Sequence, residues 1–113
     1  MNEVKRGEIY YISNPDYDSK APHEQAGVRP AVVVSNDTGN LHAPVVTVVP
    51  LTASKKKFLP THVNIRTTKK PSTALCEQLM TVSKERLLNC AGPVSPEELK
   101  ALNKAISVSL GLY

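Results

Sequence analysis

Over most of its length the chain arranges apolar and polar residues with the period of β-strands. Gly7 to Ile12 places polar and apolar side chains in turn, as a strand half-buried on one face requires. Arg29 to Ser35 and Val45 to Leu51 are near-continuous β-branched runs, the pattern of strands covered on both faces. Between them, Asn36-Asp37-Thr38-Gly39-Asn40 carries the residues of a turn. Thr61 to Arg66 alternates again, and Thr73 to Val82 predicts one bent strand or two short ones. Residues 13 to 28 hold two prolines, two aspartates and a glycine, and predict a long loop. Ser83 to Leu87 reads as one helical turn.

The period changes near the C-terminus. Ser95 suits an N-cap, Pro96 the first helical position, and Glu98 completes a capping box. Leu99, Leu102, Ile106 and Leu110 then form one stripe at helical spacing, and Gly111 ends it. The expected fold is mainly β with a C-terminal α-helix: a small twisted sheet or open barrel closed by that helix.

With 113 residues and neither repeat nor linker, residues 1–113 are expected to form a single domain. No apolar run approaches the ~20 residues of a membrane span, and Met1 to Arg6 lacks the apolar region of a signal peptide. A soluble cytoplasmic protein is therefore expected. Cys76 and Cys90 are too few and too far apart for a zinc cluster and read as small core residues. The net charge of +4 is mild but uneven. Between Thr38 and Leu75 there is no Asp or Glu, while Lys55, Lys56, Lys57, Arg66, Lys69 and Lys70 all fall there. Such a stretch suits a phosphate backbone or an acidic protein partner, and equally a plain solvated surface.

Chemistry narrows the field further. His23, His42 and His62 show no ligand spacing, and the middle of the chain has no carboxylate pair, so no metal and no cofactor is expected. No nucleophile elbow is present. What remains is Arg29, between Gly27 and Pro30 at the mouth of a strand, and Thr52, at the far end of the next one. A guanidinium is a permanent planar fork matched to phosphate oxygens. Aimed at the phosphorus that a ribose 2′-hydroxyl attacks, it stabilises the charge of the transition state, and a nearby threonine hydroxyl orients the phosphate or relays a proton. Taken singly, Arg29 also fits an ion pair with Glu24 or Asp37, and Thr52 fits an ordinary turn. His62 offers a general acid–base group or a strand residue bonded locally.

Together these residues match a known pattern. Lys5-Arg6-Gly7-Glu8-Ile9-Tyr10, Glu24 to Pro30, Val34-Ser35-Asn36-Asp37 and Pro50-Leu51-Thr52 closely resemble the MazF/PemK family of toxin endoribonucleases. Leu59-Pro60-Thr61-His62-Val63 and Glu77 to Val82 continue the likeness, which runs from about Lys5 to Leu110. The resemblance implies an SH3-like barrel of the CcdB/PemK type with a C-terminal helix, assembled as a homodimer. It implies metal-independent, sequence-selective cleavage of single-stranded RNA, chiefly mRNA, to 2′,3′-cyclic phosphate and 5′-hydroxyl ends. Arg29 and Thr52 fall on the family's catalytic positions. Glu24, Gln25, Pro30, Ser54, Lys56, Glu77 and Gln78 are the expected RNA contacts. The implied partner is a MazE-like antitoxin whose acidic disordered tail competes for the same groove. The loop from Asp16 to His23 is longer than is typical of the family, and its Tyr17 and His23 are placed to stack on bases or simply to face solvent. Two alternatives stand beside this reading: a CcdB-like protein that binds DNA gyrase without nuclease activity, and a non-catalytic RNA-binding module.

Overall fold

A computed structural model describes residues 3–13, 27–54 and 58–113. Seven strands and two helices follow in the order β1 (Glu8–Ser13), β2 (Val28–Val33), α1 (Asp37–His42), β3 (Val45–Thr52), β4 (His62–Ile65), β5 (Ser72–Leu75), β6 (Met80–Ser83), β7 (Leu87–Pro93) and α2 (Pro96–Leu110). All pairings are antiparallel, in the order β4-β5-β3-β2-β1-β7, with β6 added on β3. The fold is mainly β with one C-terminal helix, as expected, and the path of the sheet stays open rather than closing into a ring.

Strand β3 organises this layout. One edge pairs with β2 through Val48, Val49 and Pro50. The other edge pairs first with β6, through Val45 to Val48, and then with β5, through Leu51 and Thr52. Pro50 has no N–H to give to a ladder, and it stands where β3 passes from one partner to the other. The segment Thr73 to Val82 thus forms two short strands, separated by a 3₁₀ turn at Cys76–Gln78.

Because β2 and β3 lie mid-sheet, their alternate side chains fill two cores. Ile9, Val32, Val49, Leu51, Val63, Ile65 and Ala74 form one, packed with Leu102 and Ala105 of α2. Tyr10, Ile12, Ala31, Val33, Val46, Val48 and Val82 form the other, on the opposite face. This is what two uninterrupted β-branched runs need.

Helix α2 starts as its sequence predicts. The Ser95 hydroxyl accepts from the Glu98 N–H (3.1 Å), and the Glu98 carboxylate accepts from the Ser95 N–H (2.9 Å). Glu98 also accepts from the backbone N–H of Arg66 (2.6 Å) and from the Thr67 hydroxyl, so the cap ties down the β4–β5 connection. Gly111 takes the left-handed conformation (φ 73°) that closes the helix.

Four features depart from the sequence reading. Residues 37–42 form α1 instead of a plain turn, because Asn36 caps it through the Gly39 N–H (2.7 Å) and Asn40 is buried against the Ser35 carbonyl (2.8 Å). Strand β7 has no alternation to announce it, since it is an exposed edge paired to β1 through irregular register. Cys76 is buried, and burial pushes its thiol up to about 11, but Cys90 lies exposed on β7. Leu110, at the end of the apolar stripe and the last residue of α2, is 56% exposed.

Leu102→Ala should cost ~2–5 kcal/mol in urea unfolding, as deletion of a fully buried leucine leaves a cavity. Leu110→Ala should stay within about 0.5 kcal/mol of the parent. Burial alone would raise the Glu98 carboxyl, but the hydrogen bonds from Thr67, Arg66 and Ser95 outweigh it and hold the group below the usual range. A carboxyl depressed on folding contributes stability above its unfolded pKa and loses it as pH falls through the folded one. Unfolding free energy should therefore drop as pH falls through and below the ordinary carboxylate range, and Glu98→Gln should make that drop shallower.

Candidate active site

The site begins from strand register. Ala31, Val32 and Val33 of β2 face Pro50, Val49 and Val48 of β3. Continuing that register two residues toward the start of β2 sets Arg29 across from Thr52. Residues directly opposed in an antiparallel pair point to the same face, with Cβ atoms ~5 Å apart. The register runs on: Thr52 faces Thr73 of β5, and Thr73 faces Asn64 of β4. Arg29, Thr52, Thr73 and Asn64 therefore make one polar row across four adjacent strands. Arg29 and Asn64 are exposed, Thr52 and Thr73 half-buried. Arg29, Thr52 and Thr73 lie on the face turned away from α2, because their neighbours Leu51 and Ala74 belong to the core beneath that helix, whereas Asn64, on the outer strand β4, also borders a cavity lined by Glu97, Glu98 and Lys104 of α2.

Local bonds orient the pieces. The Thr52 oxygen accepts the Ser54 N–H (3.2 Å), which leaves the hydroxyl proton to be directed elsewhere. Asp37, one of the two acids able to pair with Arg29, instead receives the Arg6 N–H (2.7 Å). That bond holds its carboxyl below the ordinary range, with burial opposing. Among the described residues Arg29 has no carboxylate partner. Pro30 alternates to the opposite face from Arg29, so its part is to fix the backbone φ beside the guanidinium. Ser54, Glu77 and Gln78 are exposed or partly so, Ser54 just past β3 and the other two on the turn that follows β5. Glu24, Gln25 and Lys56 lie outside the described residues, as do Tyr17, His23, Lys55 and Lys57.

One pair further along the same face, His62 of β4 lies across from Leu75. It is buried, its Nδ1 accepts the Leu59 N–H (3.3 Å), and its Nε2 lies 3.0 Å from a Glu77 carboxylate oxygen. The bond at Nδ1 fixes the tautomer, so Nε2 carries the proton toward Glu77. The other Glu77 oxygen accepts from the Thr61 hydroxyl (2.7 Å). Burial would raise this carboxyl, yet the bonds from Thr61, its own backbone and His62 bring it below the usual range. His62 and Glu77 thus pin the Leu59–Thr61 segment to the turn after β5, one residue from Gln78. The local hydrogen-bonding reading of His62 is the geometry observed. Among the described residues, no group of three His, Cys, Asp or Glu side chains is arranged to hold a metal ion. Thr73 and Asn64 escape the hydropathy pattern altogether, since periodicity gives a strand's face but not its neighbour.

A small open sheet with one C-terminal helix, carrying a polar row that begins at an arginine, is an architecture found among toxin endoribonucleases. Solved structures share it. An endoribonuclease from a mycobacterial species, in complex with its cognate antitoxin, is 26% identical, with a TM-score of 0.82 and 97% of each chain covered. MazF from Deinococcus radiodurans, 19% identical, shares the fold with a TM-score of 0.78 over 98% of this chain and 99% of that one. In sequence, the Endoribonuclease MazF of Staphylococcus saprophyticus is 38% identical over an alignment of 115 positions, covering 97% of this chain and 93% of the relative. Residues 5–110 match the family described as the PemK-like, MazF-like toxins of type II toxin–antitoxin systems, and the chain belongs to that family.

Proposed function

We propose that this protein is the toxin endoribonuclease of a toxin–antitoxin pair and that Arg29 and Thr52 carry out the cleavage of single-stranded RNA, chiefly mRNA. The observation that carries this reading is the β2–β3 register, which sets a permanent cation across from a hydroxyl on the open face of the sheet. In the reaction the 2′-hydroxyl gives up its proton to solvent as its oxygen attacks the adjacent phosphorus, the P–O5′ bond breaks, and the departing 5′-oxygen takes a proton from solvent in exchange. The products are a 2′,3′-cyclic phosphate and a 5′-hydroxyl that gains a proton. Charge accumulates on the non-bridging oxygens, where Arg29 supplies two parallel donors and Thr52 a third. These donors bind the more negative oxygens of the five-coordinate transition state better than those of the ground-state diester, which is the requirement for acceleration. The charge is compensated by side chains, so no metal enters the scheme.

Ser54 and Gln78 border the row and, with Glu24, Gln25 and Lys56, are assigned to holding the RNA; Glu77 serves the same groove through its bonds to Thr61 and His62, and Pro30 stiffens the strand that bears Arg29. The partner antitoxin presents an acidic tail to the same positive stretch, and the toxin acts in the cytoplasm. A homodimer is favoured by the apolar surface the single chain leaves bare: Leu41 (52% exposed) and Leu88 (47%) line one groove of about 650 Å³. A gyrase-binding protein of this fold would leave the Arg29–Thr52 juxtaposition without a use.

The test is incubation of purified protein with a long single-stranded RNA in EDTA, with mapping of cut sites and end groups. Cleavage should persist in EDTA and leave cyclic phosphate ends; loss of activity on chelation would sink the scheme. Arg29→Ala and Thr52→Ala should each lower the rate at least roughly a hundredfold, the usual consequence of removing a transition-state donor. Replacing Lys55, Lys56 and Lys57 together by alanine should act on affinity instead, reducing the salt slope by about 0.7 for each phosphate no longer neutralised.

A further inference from the structure

We infer that Thr73 and Asn64 are positioning residues that carry the RNA away from the scissile phosphate, across β5 and β4 toward the β4–β5 hairpin. The inference rests on the reading of Arg29 and Thr52 as the catalytic pair, and it gives the bound strand a direction.

The row has two ends of opposite character. Beyond Arg29, its neighbour on β1 is Ile12, which is 5% exposed and belongs to the second core, with Leu87 of β7 packed against that core. Among the described residues that register position holds an apolar side chain, with Arg86 beside it bonded through Nε to the Ser13 carbonyl (2.6 Å). Beyond Thr52 the row continues through the Thr73 hydroxyl and the Asn64 amide. Each of these both donates and accepts, the capacity needed to bind a ribose hydroxyl or a phosphate oxygen. Strands lie ~4.8 Å apart, so Asn64 stands about 10 Å from Thr52 along the row, a reach of one to two nucleotides. Asn64 is also the single exposed position of β4, whose pattern is otherwise buried.

The hairpin that follows Asn64 supplies the charge. Arg66, Lys69 and Lys70 are all exposed at its tip. Two of the acids near this path are engaged, Glu98 by Arg66, Thr67 and Ser95 and Glu77 by Thr61 and His62, while Glu97 shares with Asn64 a cavity that Lys104 also lines. A polyanion leaving Thr52 in this direction meets donors and then cations. In the opposite direction the first side chain along the row, among the described residues, is the apolar Ile12.

The experiment uses oligoribonucleotides around one mapped cut site, lengthened stepwise on the 5′ side only or on the 3′ side only. Asn64→Ala and Thr73→Val should raise KM roughly fivefold, with kcat unchanged, for substrates extended on one of the two sides. The shortest cleavable substrate should not distinguish them from the parent. Asn64→Asp, which sets an anion in the path, should weaken binding more than Asn64→Ala does. The double change Lys69→Ala with Lys70→Ala should lower the salt slope of binding by about 1.4 on the same extended oligonucleotide. Binding is read by fluorescence anisotropy on a strand with a 2′-deoxy residue at the cut site, which has no 2′-oxygen to attack. Thermal melting of each variant checks the fold. Equal KM values at every length, or an equal loss on the shortest substrate, would overturn the assignment. Arg29→Ala run on the same oligonucleotides separates the two failures: undiminished cleavage there would remove the catalytic reading itself.

Discussion

The structure depends on the pairing of β2 with β3. Three backbone pairs, Ala31 with Pro50, Val32 with Val49 and Val33 with Val48, set the middle of the sheet. A slip of one residue would exchange the two cores and turn Arg29 and Thr52 to opposite faces. The register is held because both faces of both strands are buried, so every alternative exposes valines on one side and buries polar groups on the other. Chemistry at the edge of this sheet is therefore specified by packing at its centre. Two strands that carry almost no polar side chains fix where a guanidinium and a hydroxyl meet.

Much of this is legible in the chain itself. The β-branched runs announce strands covered on both sides, and the Ser95, Pro96, Glu98 and Gly111 signals locate α2 because capping is a local matter of which side chain reaches which N–H. Arg29 and Thr52 stand out by residue type and by their places at strand ends. What the chain withholds is anything set by partners. Strand β7 has no alternation because it is an edge exposed along most of its length, and Leu110 reads as core only because its helical phase does not report its exposure at the last residue of α2. Asn36 to Asn40 shows the same limit in another form. Asn and Asp favour turns and helix caps alike, and burial of Asn40 decides between them.

The site itself divides in the same way. Ser54 orients the Thr52 hydroxyl from two residues away, a contact that sequence spacing suggests. The alignment of Thr73 and Asn64 with Thr52 joins residues 21 and 12 positions distant from it, and no periodicity reports it. His62 illustrates the difference between availability and use. Its imidazole is of the right kind for proton transfer, but burial and its bonds to Leu59 and Glu77 give it a scaffold's duty beside the row.

The capping carboxylate of α2 has a wider consequence. Glu98 serves the helix start and the β4–β5 connection with the same two oxygens, so neither can loosen without the other. Opening of the hairpin and fraying of the helix then form a single cooperative event. Evolutionary drift at this position is constrained from two sides at once: an aspartate would be too short to span both, and a glutamine would offer one acceptor where two are taken.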